Sequence, residues 1–170
     1  MELWDLYNAN REPLGRTHRR GAPMQRGEYH LVAFVWVFNG RGKLLLTKRS
    51  PEKLAYPNFW ENTGGSVLAG ESSLHAIRRE LFEETGIRAD EREFHYIDST
   101  KGRTWISDTY YIVKDVPLSA LRLQPGETCD ARWVDRRELE ALIGAGLVAR
   151  PDVQRLRRRS ALLTQFLGAP

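Results

Sequence analysis

From His30 to Phe38 the chain runs almost without interruption through apolar, β-branched and aromatic residues, and it turns at Asn39-Gly40. A run of that kind predicts a strand covered on both faces and closed by a tight turn, with 43–48 (KLLLTK) as its partner. Ahead of it, Trp4, Leu6 and Tyr7 alternate roughly as a short strand, and 8–15 is rich in turn residues, so 1–30 reads as a peripheral hairpin. Residues 50–59 hold Pro51 and Pro57 and read as a loop leading to a short strand at 60–63, broken by Gly64-Gly65. The strongest helical pattern is 72–85: Leu74, Ile77 and Leu81 recur at spacings of three and four, Ser72 or Ser73 can cap the start, and Gly86 suits a left-handed stop. Strands are expected at 94–97, 104–113 and 131–134, and helices at 136–143 and 153–166. Strands framing a central helix, with helices at the end, predict one α/β domain over 1–170 with a mixed sheet between helices.

Composition narrows the class. A chain of 170 residues has one domain's length, and 41% hydrophobic with 28% charged residues excludes disordered and collagen-like chains. The longest apolar run, Leu31 to Phe38, is far short of the roughly 20 residues a membrane helix needs. Met1-Glu2-Leu3-Trp4-Asp5 lacks the basic-then-apolar order of a signal peptide. The single cysteine, Cys129, allows neither an internal disulfide nor a cysteine zinc site, which points to a cytoplasmic protein. Cys129 itself is expected as a small buried apolar residue, and Trp133 as a core residue.

A net charge of +4 favours anionic partners without choosing among them. Its distribution says more: Arg150, Arg155, Arg157, Arg158 and Arg159 crowd the end of the chain, while Glu71, Glu80, Glu83 and Glu84 concentrate acid in the middle. At about 100° per helical residue, with Glu80 at zero, Glu84 lies near +40° and Glu83 near −60°, beside an apolar stripe of Ile77, Leu81 and Leu74 at roughly +60° to +120°. The carboxylates are therefore expected at the edge of the core. Like charges so spaced repel by a few tenths of a kcal/mol per pair, and Arg79 offsets only part of that. Oxygen ligands without His or Cys suit Mg²⁺ or Mn²⁺, although a solvated charged face would account for the helix alone equally well.

The spacing around the helix decides between these. From Gly65 the chain has five residues, Glu71, seven residues, then Arg79-Glu80-Leu81-Phe82-Glu83-Glu84-Thr85-Gly86-Ile87. This fits G-x5-E-x7-R-E-U-x-E-E-x-G-U, with U aliphatic, at every position; a chance fit anywhere in the chain is on the order of 10⁻⁷. On these residues the chain resembles the Nudix hydrolase superfamily. The resemblance implies an α/β/α sandwich with a central mixed sheet, and a strand-loop-helix presenting glutamates to metal. It implies Glu80, Glu83 and Glu84 as main metal ligands, with a backbone carbonyl from Gly64 or Gly65, and Glu71 joining from the loop or through Arg79. Arg79 would orient the carboxylates. The implied reaction is cleavage of a diphosphate linkage by a metal-activated water, with Glu83 or Glu84 as the base and Glu127 as an additional candidate acid.

Flanking segments (30–34, 44–49 and 53–63) resemble the isopentenyl diphosphate isomerase branch of the same fold. That branch uses a reactive cysteine and a histidine just after the Trp-x-Asn stretch, where this chain has Gly64-Gly65-Ser66-Val67, so hydrolysis is favoured over isomerisation. His30 matches a metal-binding histidine of the isomerases; the other histidine positions do not match, and a buried or strand-end role is expected for it. Alternation along 43–49 aims Lys48 or Arg49 at the cleft, where a cation would suit a diphosphate. Tyr56, Phe59 and Trp60 are expected in packing rather than on a base. Substrate discrimination is expected in loops at 98–105 and 118–128. The expected partner is a small diphosphate compound, a nucleotide derivative, and the protein a monomer or homodimer away from membranes. The alternatives are an isomerase and a non-catalytic nucleotide- or RNA-binding module using the C-terminal arginines, nucleic acid being the less favoured partner.

Overall fold

The computed structural model describes residues 2–169. Its strands are β1 (Leu3–Tyr7), β2 (Pro13–Arg19), β3 (His30–Phe38), β4 (Leu44–Arg49), β5 (Trp60–Glu61), β6 (Gly64–Ser66), β7 (His95–Lys101), β8 (Trp105–Val113) and β9 (Thr128–Val134). Its helices are α1 (Ser73–Thr85), α2 (Arg136–Gly144), α3 (Arg150–Arg158) and α4 (Ser160–Leu167). This is an α/β architecture: a small antiparallel hairpin accompanies a larger sheet. The chain divides into two compact units, each assembled from interleaved stretches.

The first unit takes Met1–Val35, Gly64–Leu81 and Arg88–Tyr111. Here β1 and β2 pair from Leu3↔Arg19 to Tyr7↔Pro13, with Leu6 buried. Tyr7 exchanges both backbone hydrogen bonds with Tyr29 (2.8 and 2.9 Å), which ties the hairpin to the start of β3. The first half of β3 carries β6 antiparallel, pairing Ala33 with Gly65 and Phe34 with Gly64. The β7–β8 hairpin runs from His95↔Tyr111 to Lys101↔Ile106. Ala33, Val35, Ile77, Leu81 and Ile106 are buried in this unit, each large aliphatic side chain contributing about 1.5–3 kcal/mol on burial.

The second unit takes Trp36–Thr63, Phe82–Ile87 and Ile112–Pro170. The Asn39-Gly40 turn returns the chain so that Leu44 pairs with Phe38. Strand β4 then holds β5 through Thr47↔Glu61 and Lys48↔Trp60, and β9 from Leu44↔Val134 to Arg49↔Thr128. Trp36, Phe38, Leu44, Leu46, Ile112, Val134, Leu139 and Leu156 form its core. Helix α2 starts in a capping box, Asp135 accepting from the Glu138 backbone (2.8 Å) while Glu138 accepts from that of Asp135 (2.9 Å).

Several local expectations change. Gly64-Gly65 does not break the sheet but forms β6, because its glycines pair with β3 where side chains would collide. The 98–105 stretch lies within the β7–β8 hairpin rather than in a loop, leaving only 102–104 to connect the strands. The helix expected over 153–166 is two helices divided at Arg159 (φ −120°, ψ 37°). Arg159 is buried with its guanidinium 5.9 Å from the Trp36 ring, and Arg155 bonds the buried Asp152 at 3.0 Å, so two of the C-terminal arginines are internal rather than solvated. Cys129 is exposed, not buried. Trp133 is only half-buried, its indole N–H donating to the Val116 carbonyl (2.9 Å).

Candidate active site

In the first unit the site is built around two glycines that face opposite ways. A Cβ on Gly64 would lie 2.2 Å from the Phe34 ring and 2.6 Å from the Ala33 carbonyl oxygen, so this position lies flush against β3. A Cβ on Gly65 would lie 2.2 Å from the carboxylate carbon of Glu80. The missing side chain is what lets the backbone of β6 meet that carboxylate.

Helix α1 begins with Ser72 accepting from the His75 backbone N–H (3.1 Å), so Ser72 is the cap, while the Ser73 hydroxyl turns to the Tyr110 hydroxyl (2.8 Å). Arg79, on this helix, is the hub. Its Nε and Nη2 donate to the two oxygens of Glu71 at 2.9 Å each, its Nη1 to Glu80 at 2.9 Å, and Nη2 also to the Ser66 carbonyl at 3.2 Å. Glu71 further accepts from the Leu68 backbone N–H (3.1 Å), which folds the loop back onto the arginine. The Arg79 fork holds the Glu71 carboxyl below the usual carboxylate range, and Glu71 in turn pushes the guanidinium pKa up. Strand β1 braces the same loop: Ala69 N–H donates to the Leu3 carbonyl (2.8 Å) and Gly70 N–H to the Asp5 carboxylate (2.7 Å).

The helix face differs from the one expected. Ser73, Ala76, Ile77, Leu81 and Glu84 are buried, Leu74 only half-buried, and Glu83 exposed. On the wheel set by Glu80 the buried residues, with Thr85 included, span about −40° to +140°, so Glu84 sits inside the buried arc, at 8% exposure, rather than at its edge. Among the described residues no three His, Cys, Asp or Glu side chains gather as a preformed metal cluster. The donors are nonetheless all oxygens, and a glycine makes room for the Glu80 carboxylate, which fits a hard divalent ion.

Lys48, Arg49 and Glu127 belong to the second unit. Arg49 Nη1 bonds both oxygens of Glu61 (2.8 and 2.7 Å) and its Nε the Ala55 carbonyl (2.8 Å). Burial first, then the charge of Asp152, pushes the Glu61 carboxyl up to about 7 against the opposing effect of Arg49. The Lys48 ammonium lies 5.8 Å from the centre of the buried Trp60 ring, which also has the Arg132 guanidinium at 5.6 Å. Trp60 is thus packed, as expected, and Tyr56 meets Phe59 edge-on at 5.6 Å. Glu127 is ion-paired with Lys53. Lys53, Glu61 and Asp5 went unsingled in the sequence; only their long-range partners distinguish them.

Comparison with known proteins decides the family. Residues 28–155 match the NUDIX domain. The chain belongs to the Nudix hydrolase family. An uncharacterized Nudix hydrolase of Listeria monocytogenes is 46% identical over 147 residues, covering 86% of this chain and 87% of that one. A Nudix-fold crystal structure from Deinococcus radiodurans, DR0079, superposes with a TM-score of 0.77 at 28% identity over 93% of this chain and 98% of that one. An isopentenyl-diphosphate delta-isomerase of Escherichia coli is 32% identical over 139 residues, 76% of this chain and 75% of its own. Nudix enzymes are generally pyrophosphohydrolases acting on nucleoside diphosphate derivatives with divalent metal ions, and this chain is a Nudix hydrolase with the complete signature between Gly65 and Ile87. Among the described residues no helix is long and apolar enough to cross a membrane.

Proposed function

We propose that this Nudix hydrolase cleaves the diphosphate linkage of a nucleoside diphosphate joined to a second group, with Mg²⁺ or Mn²⁺ as cofactor. The observation that carries the reading is the Glu71–Arg79–Glu80 network set against Gly65, within an unbroken signature. Glu80, Glu83 and Glu84 would hold the metal, with a carbonyl from Gly64 and Glu71 acting through Arg79. When bound, the ion polarises phosphoryl oxygens and acidifies the attacking water. Arg79 fixes the Glu80 carboxylate in one orientation while neutralising part of the acid cluster. Of the two candidate bases, Glu83, exposed on the helix, would take the water's proton and release it to solvent, while Glu84, inside the buried arc, would serve as a fixed ligand. In the second unit Arg49 is already engaged, its Nη1 by both oxygens of Glu61 and its Nε by the Ala55 carbonyl.

The test is a panel of nucleoside diphosphate derivatives with Mg²⁺ or Mn²⁺ and product identification. Release of a monophosphate, abolished by chelation and lowered at least about a hundredfold in kcat by Glu83→Gln, is expected; an inert panel or an unaffected variant refutes the reading. The similarity to the isomerase supports a second reading, prenyl diphosphate isomerisation. Solvent deuterium entering isopentenyl diphosphate would establish it, and no exchange would end it.

A further inference from the structure

A cleft of about 970 Å³ opens in the first unit between Trp4 at the start of the hairpin, the 21–27 segment, and Tyr29-His30 at the start of β3, with Arg103 and Thr104 closing one end. That volume is ample for a small-molecule site. The walls are fixed. Glu28, buried, pairs with Arg16 and accepts from the Gln25 backbone (3.0 Å); His18 bonds the Ala22 carbonyl (3.1 Å); and the His30 backbone N–H donates to Thr104 (3.1 Å).

Its floor is aromatic. The Trp4 and His30 rings stack with centroids 3.9 Å apart and 12° between planes, and both line the cleft. His30 is 92% buried, from an exposure of 8%, yet its Nδ1 has no hydrogen-bond partner, and the buried Trp4 Nε1 has none either. Buried polar atoms of this kind are rare and call for a partner. Burial lowers the imidazole pKa to about 4, the Leu31 backbone opposing and the charges of His18 and Arg20 assisting. At neutral pH His30 is therefore an uncharged ring with a hydrogen-bonding edge. At the rim stand the exposed Arg26 and Arg103, neither in an ion pair among the described residues, while Lys101 covers Tyr29 at 5.7 Å. Among the described residues no carboxylate lines the cleft.

We propose that this cleft is a nucleobase pocket: a planar heteroaromatic ring packs against the Trp4–His30 stack, and its phosphate end meets Arg26 and Arg103. Flat π-systems suit an aromatic floor, and guanidinium forks suit phosphate. Trp4 and the 21–27 segment precede residue 28, where the NUDIX match begins, so much of the pocket lies outside the matched domain. This deepens the nucleotide reading above by naming where the base is read.

The test does not require turnover. The four nucleoside 5′-monophosphates, ribose 5-phosphate and inorganic phosphate are titrated into the ¹⁵N-labelled full chain, following the Trp4 indole N–H, which is assigned by its loss in Trp4→Phe. A shift with at least one nucleotide, absent with ribose 5-phosphate and phosphate, is expected. Arg26→Ala and Arg103→Ala, both at exposed positions that leave the fold intact, should each weaken that binding about tenfold. An indole signal that ignores every nucleotide, answers equally to phosphate, or binds with the same affinity in both arginine variants overturns the proposal. If the nucleotide panel is hydrolysed but Trp4→Phe and the arginine variants keep the wild-type KM, the pocket assignment fails and the hydrolase reading stands. Nucleotide binding at Trp4 without hydrolysis gives the reverse outcome.

Discussion

Gly65 and Glu80 occupy space that a single methyl group would make incompatible: a Cβ on the glycine would stand 2.2 Å from the glutamate's carboxylate carbon. The neighbour at risk is the far end of a flexible side chain, so Gly65→Ala should move the carboxylate instead of unfolding the strand. We expect kcat to fall at least about tenfold with little change in Tm. Gly64→Ala meets the backbone carbonyl of Ala33 as well as the Phe34 ring and should cost about 1–3 kcal/mol of stability. Thermal unfolding beside kinetics separates the two; equal loss of Tm in both variants would contradict the assignment.

Arg79→Lys should be a poor replacement, because one ammonium cannot reproduce two parallel bonds to Glu71 together with the bond to Glu80. Urea unfolding is expected to show a loss of about 1–3 kcal/mol, and Glu71→Gln a similar loss. The double variant should lose clearly less than the sum. Additive losses would mean the pair does not act as one unit.

His30 predicts a pH dependence of stability. Its pKa is lowered to about 4 in the folded chain from an ordinary value of 6.5, so the unfolded chain binds the extra proton between those values and stability falls as pH drops through that window. The effect is bounded at about 3 kcal/mol. His30→Phe should flatten the stability–pH curve between pH 6.5 and 4, read by urea midpoints; an unchanged slope would rule His30 out as its source.

Asp152, 2% exposed, accepts from the Asn62 backbone N–H (3.2 Å) and pairs with Arg155. Asp152→Ala strands both, and a loss of about 3–5 kcal/mol is expected. Asp152→Asn keeps an acceptor for Asn62 and should lose less. Chemical denaturation tests the order.

What was legible in the sequence was whatever local spacing determines. The apolar run of β3, its Asn39-Gly40 turn, the helical period of α1 and the left-handed stop at Gly86 (φ +75°) need only near neighbours to specify them. The same holds for the signature, since Arg79 and Glu71 meet through a loop of fixed length. Illegible features were those settled by distant partners. Glu84 looks like a surface charge until Ala76 and Leu81 are seen buried on either side of it, and Arg159 looks solvated until Trp36 lies beneath it. Gly64-Gly65 looks like a break because glycine disfavours strands; the reason for its exception is the closeness of Phe34 and Glu80, which no local pattern reveals. Arg49 reads as a cation available to phosphate until Glu61, twelve residues on, claims it.

The interleaving of the two units carries a consequence for the gene. The chain passes between them five times, after residues 35, 63, 81, 87 and 111, so no terminal deletion removes one and leaves the other whole. Neither unit is an exchangeable cassette: no single recombination joint separates one unit whole from the other. Blocks of sequence added before residue 28 or after residue 155 leave the NUDIX match uncut.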